Sequence, residues 1–138
     1  MRISFIGCKE NTITIFKELA RELSIKVSGL ELAERFVPSI EDIPIVALEE
    51  SEQSDFIVVF AIIENEEEKK LLEEKLVDVE LKSQTRIFKG IEEDEFSDLE
   101  EEEYLEVKDV LVQRYVDTIL GILFNENEFE PEDRDFGL

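Results

Sequence analysis

Histidine is missing from this 138-residue chain, cysteine occurs once, at Cys8, and basic residues number 15 against 37 acidic ones. Each shortage removes a class of function. Without imidazole, no Ser-His-Asp or Cys-His nucleophile can be assembled. One cysteine rules out an intrachain disulfide and, with no histidine, leaves no ligand set for a conventional structural zinc site. A formal charge of -22 repels phosphate backbones and anionic bilayers, so no nucleic acid and no membrane is expected as a partner. No apolar run approaches the roughly 20 residues that a membrane helix needs, and the opening MRISFIGCKEN has no long apolar h-region of a secretion signal. A soluble cytoplasmic protein is the expectation.

Phosphate and metal motifs are missing as well. Lys9 is followed by Glu10 with no glycine-rich cradle, so neither the P-loop nor the dinucleotide pattern is present. No Asp-x-Asp-x-Asp-Gly loop offers a specific hard-cation site. The expected cofactors and metals are therefore none. Cys8 stands at a strand end without a histidine base or an electropositive surround, which favours an inert, small apolar side chain over a reactive thiol.

What is present is a core. Hydrophobic residues make up 43% of the chain, enough at this length for one domain, residues 1–125, with an acidic, partly disordered C-terminal tail, 126–138. A short apolar strand, Ile3 to Ile6, is broken by Gly7. A helix from about Thr12 to Ser24, capped by Asn11 or Thr12, carries Ile13, Phe16, Leu19, Ala20 and Leu23 on one face. Gly29 precedes a second strand, Leu30 to Val37. Val37 must be extended because Pro38 follows, and Pro44 suits the first turn of a helix that Ser39, Glu41 or Asp42 can cap. That helix runs to about Gln53. Phe56 to Ile63 is apolar at every position, as in a strand buried on both faces of a parallel sheet.

An amphipathic helix follows, with Leu72, Leu76 and Val79 on its inner face and Glu66–Lys70 and Asp78–Lys82 at the ion-pairing i,i+4 spacing. Thr85 to Phe88 forms a fourth strand closed by Gly90. The acidic run Ile91 to Glu103, anchored by Phe96 and Leu99, reads as a solvated loop and helix start. A long helix from about Glu101 to Phe124 has an apolar face wide enough for burial on two sides. In the tail, Phe129 and Phe136 are candidates to dock on a partner.

Strand and helix alternating four times specify an α/β three-layer sandwich with a four-stranded parallel sheet and right-handed crossovers. So narrow a sheet leaves its edges poorly covered and favours oligomerisation. The Pro38 to Pro44 loop and the segment after Ile62 lie at the carboxyl ends of strands, where open α/β sheets bind ligands.

Three stretches carry a family resemblance. VPSIEDIPIVA, Val37 to Ala47, and DFIVVFA, Asp55 to Ala61, resemble the VPG-x-x-[DE]-[IL]-P segment and following strand of lumazine synthases and, more closely, of archaeal riboflavin synthases. RYVDTILGILFNENEF resembles the closing helix of the archaeal enzymes. The resemblance implies strand order 2-1-3-4 and a homo-oligomer, a pentameric ring with sites between subunits. The implied ligand is a ribityl-lumazine or a flavin of riboflavin biosynthesis. Asp42 matches the acidic residue that holds ribityl hydroxyls, and Ser39 and Ile40 match the main-chain contacts. Ala61 and Ile62 close the third strand beside the ring site, with Cys8 at the end of the first. The family's post-proline glycine is Ser39 here, and its strand-ending glycine is Ile63, whose branched side chain is expected to crowd the ring. The aromatic of the first loop and the family histidine are absent. The expected function is therefore a divergent riboflavin synthase-like protein. Its alternative is a catalytically inactive paralogue serving as a binding or assembly subunit with an acidic surface.

Overall fold

The computed structural model describes residues 1–94 and 98–136, with the backbone alone at 9–14 and 125–136. Phe96 and the side chains of Lys9, Glu10, Asn11, Thr12, Ile13, Phe129 and Phe136 therefore lie outside the described residues. Within them the order of elements is β1 (Arg2–Cys8), α1 (Lys9–Lys26), β2 (Glu31–Val37), a 3-10 turn (Ile40–Asp42), α2 (Ile43–Ser51), β3 (Phe56–Ile63), α3 (Glu66–Ser83), β4 (Arg86–Glu93) and α4 (Glu101–Phe136). The four strands form one parallel sheet in the order β2-β1-β3-β4. The expected α/β three-layer architecture and strand order are both present.

Strand periodicity divides the core in two. Side chains alternate across a sheet, so Phe56, Val58 and Phe60 of β3 join Ile3 and Phe5 of β1 beneath α1 and α4. Ile57, Val59, Ala61 and Ile63 join Ile6 beneath α2 and α3. Every residue of β3 from Ile57 to Ala61 is completely buried, which explains why its sequence does not alternate. β2 is an edge strand, and Glu31, Glu34 and Arg35 are exposed along it, charges that discourage pairing with a further strand. Gly29 precedes it at φ +70, a left-handed conformation that costs glycine little. Among the described residues no helix is long and apolar enough to cross a membrane.

Several boundaries differ from the sequence-based expectation. Gly7 lies inside β1, and α1 begins at Lys9 with Cys8 at its N-cap position and no side-chain cap, upstream of the expected Asn11 or Thr12 cap. α4 passes the expected end at Phe124 and reaches Phe136. The spacings Glu66–Lys70 and Asp78–Lys82 do not close into ion pairs among the described residues. Solvated side chains gain only about 0.2–0.5 kcal/mol from such a pair.

Gly90 is the most informative difference. It does not close β4, which continues to Glu93. A Cβ at Gly90 would stand 2.8 Å from Tyr115 Cε2 and 3.0 Å from Cζ, and the Tyr115 ring is itself held by Phe88, edge-on at 4.8 Å, and by Phe60 at 6.1 Å. The glycine makes room for a ring from α4. On the α1 side, α4 is fixed by Lys108, whose Nζ lies 2.9 Å from Glu18 Oε1 with only 6% of its side chain exposed.

A polar cluster fills the opposite end of the sheet. Ser4 Oγ donates to Glu50 Oε1 at 2.9 Å, and Arg35 Nη1 and Gln53 Nε2 donate to Glu50 Oε2 at 3.2 and 3.1 Å. Burial alone would raise the Glu50 pKa, but the hydrogen bonds from Ser4 and Gln53 and the Arg35 charge outweigh it and hold the carboxyl below its ordinary value of 4.5.

Two expectations follow from this packing. Gly90→Ala should cost about 1–3 kcal/mol by overpacking, seen as a lower urea midpoint, and adding Tyr115→Leu should return part of the loss; an unchanged midpoint would mean that the ring moves aside freely. Glu50→Gln should cost roughly 1–3 kcal/mol at neutral pH. Because the folded-state pKa lies below the unfolded-state one, this contribution is complete above about pH 4.5 and fades as pH falls through the lower folded value. Urea titrations of both proteins should therefore converge in acid, and a gap independent of pH would contradict the ionic account.

Candidate functional site

The carboxyl edge of the sheet is built from the ends of all four strands, and register decides which side chains meet there. Cys8 pairs with Val37 across β1 and β2, Gly7 with Phe60 across β1 and β3, and Ile62 with Glu92 across β3 and β4. β2 ends at Val37, and Pro38, which supplies no N–H, adds no donor to the ladder. Ser39 remains extended (φ -139, ψ 146), and its Oγ accepts from Glu41 N at 3.3 Å while Asp42 N donates to Ser39 O at 3.0 Å. A one-turn 3-10 helix results, feeding into α2 with Pro44 in the first turn. Ser39 is thus the residue that caps. Asp42 occupies the N-cap position of α2, yet its carboxylate makes no capping hydrogen bond.

The candidate residues do not all meet. Cys8 and Ile40 pack, partly buried, against the core under α2 and α3, to which the fully buried Ala61 also belongs. Ser39 and Asp42 ride on the turn above them, Ser39 exposed and Asp42 half-buried. Ile62 lies on the other face of the sheet, against the core under α1 and α4. Strand alternation makes that separation unavoidable for neighbours in one strand. Ile63, the expected obstruction, is fully buried beneath α2 and α3. Its side chain therefore fills the core, and its carbonyl accepts from Asp94 N at 3.0 Å.

A second polar group at this edge is not evident from sequence. Tyr115 of α4 donates its phenol proton to Glu92 Oε2, and Arg114 Nη2 reaches the same oxygen at 3.3 Å with its guanidinium carbon 5.7 Å from the Tyr115 ring centre. Burial, and then the hydrogen bond and charge of Glu92, push Tyr115 far above the ordinary phenol value. It stays protonated and holds β4 to α4 rather than accepting a proton. Glu92 sits in an acidic run that reads as solvated, and the signal that separates it from its neighbours is its two-residue step from Gly90 on the face that meets α4.

The edge therefore offers hydroxyl, carboxylate and main-chain groups but no imidazole, and among the described residues no group of three or more Cys, Asp or Glu is arranged to hold a metal. Such an edge can bind a polyol, and it lacks the imidazole that most often serves as a general base. No protein-family model matches the chain, and no curated protein matches it.

Ser39 and Asp42 carry different duties, and stability separates them. Ser39→Ala should cost roughly 0.5–1 kcal/mol as a lost cap, whereas Asp42→Ala should change the urea midpoint by less than about 0.5 kcal/mol. Equal losses at both positions would assign Asp42 to the fold.

Proposed function

We propose that the chain is a divergent relative of the lumazine and riboflavin synthases that binds ribityl-substituted lumazine or flavin without converting it, as a homo-oligomeric binding or assembly subunit of the cytoplasm. The observation that carries this reading is the Ser39–Asp42 turn at the carboxyl end of β2. One of its residues satisfies the turn, and the other leaves a carboxylate without a capping bond. A vicinal polyol is the ligand such a group recognises, through hydroxyls that donate to the Asp42 carboxylate.

Chemistry disfavours turnover. Proton transfer by a positioned side chain contributes typically ~10²–10⁴-fold. Here the chain has no histidine, and the Tyr115 phenol is committed to Glu92. The four-stranded width, and aliphatic side chains such as Ile45 and Leu71 left in solvent on the helices, support self-association. A working synthase is the second reading, favoured by one observation. Ile63 is turned into the core and does not obstruct the edge, so a substrate that supplies its own reactivity would find room.

Fluorescence titration with 6,7-dimethyl-8-ribityllumazine and riboflavin, continued as a turnover assay on one sample, decides between them. We expect saturable binding and no product. Asp42→Asn should weaken binding by roughly 10–100-fold, the usual loss with a hydrogen bond to a charged group. Absence of binding would overturn the proposal, and robust turnover would replace it with the second reading.

A further inference from the structure

We infer that copies of the chain associate head to tail, the outer face of α4 of one copy seated in the seam between α2 and α3 of the next. This rests on the homo-oligomeric part of the proposed function and is independent of the ligand. The sheet edges are ill suited to the contact. Charges line β2, and on β4 the Ile87 N–H donates to Glu80 Oε2 of α3 at 2.9 Å instead of remaining open. Association is left to the helix layers, α1 and α4 on one face of the sheet and α2 and α3 on the other.

The seam is an apolar groove with a basic stretch. Two hollows of about 110 and 220 Å³ run along it, joined at Pro44 and Lys75. Ile45, Leu48 and Leu71 line them at 64%, 43% and 53% exposure. The larger hollow sets Lys75 and Lys82 beside a single acid, Asp78, in a chain where acids outnumber bases 37 to 15. Glu41 and Glu68 lie on the smaller hollow alone. Neither lysine has an ion-pair partner within 4.0 Å among the described residues.

A groove of this kind takes a helix that presents aliphatic and acidic side chains on one face, and the chain carries such a helix. Glu103, Glu106, Val107 and Val110 follow the i, i+3, i+4, i+7 spacing of a single face of α4. All four are exposed, Val110 at 68%, while Leu111, Val112 and Ile119 on the other side of the helix pack into the core. Charge decides how two copies meet. α4 against α4 opposes Glu103 and Glu106 with their own kind, and seam against seam gathers the lysines of both copies. Only the unlike pairing sets opposite charges together. The two faces lie on opposite sides of the sheet, so the contact is heterologous and builds a ring if its rotation closes or a filament if it does not.

The test is light scattering of the full chain across a concentration series. Lys75→Glu with Lys82→Glu, and separately Glu103→Lys with Glu106→Lys, should each weaken association at least about tenfold, the second despite making the chain less negative. Mixed in equal amounts, the two variants should associate again, because each reversed face then meets a face of opposite sign. Lys17→Glu with Lys26→Glu, at exposed positions of α1, makes the same change of net charge as the seam variant and should leave the mass unchanged. Undiminished association in both double variants, or no recovery on mixing, would overturn the inference and leave self-association to another surface. Equal loss in the α1 variant would overturn it too, tracing the effect to net charge. A monomeric unaltered chain would remove the inference together with the homo-oligomeric reading, and leave ribityl binding untouched.

Discussion

Burial of β3 on both faces is the constraint on which the rest of the structure depends. From Ile57 to Ala61 no side chain reaches solvent, so each residue of one parity must be covered by α1 and α4 and each of the other by α2 and α3. At about 25 cal/mol per Å² of apolar surface, such a strand is among the strongest contributors to the fold. It also fixes where polar chemistry can occur. The middle of β3 is wholly apolar, and among the charged groups Glu50 lies at one end of the sheet and Glu92 and the Ser39–Asp42 turn at the other.

The two ends serve different purposes. Glu50 is saturated by Ser4, Arg35 and Gln53, and a buried carboxylate so fully bonded has no capacity left for a ligand. At the carboxyl edge, Tyr115 and Arg114 both engage Oε2 of Glu92 and tie that carboxylate to α4. The turn after β2 differs because its cap comes from Ser39, so the Asp42 carboxylate is not consumed in holding the backbone. A ligand site requires such a surplus group on a rigid support, and the proposed function accordingly rests on the short stretch VPSIEDIP.

Much of the architecture is legible in the residues themselves. FIVVFAII carries apolar side chains at both parities, which only a doubly covered strand can use, and Pro38 and Pro44 mark the end of β2 and the first turn of α2 within a residue or two. The glycines mislead, because a missing side chain signals either a break or a close contact. Gly90 is the second case, and only the approach of the Tyr115 ring from α4, a contact 25 positions distant in sequence, reveals it. Likewise Ile62 and Ile63 are neighbours that read as one site, yet alternation sends them to opposite cores. Long-range partners of this kind, including Lys108 with Glu18, leave no local pattern.

The proposed function stands or falls on whether the Ser39–Asp42 turn binds a ribityl chain and the edge beside it leaves the ring unchanged. The most direct measurement is an amide ¹⁵N NMR titration of the full chain with 6,7-dimethyl-8-ribityllumazine, following the ligand's own proton spectrum in the same tube. Saturable shifts centred on Ser39, Ile40, Glu41 and Asp42 are expected, with the ligand spectrum unchanged over the hours of the experiment. Shifts confined to other elements, or conversion of the ligand during the titration, would contradict it.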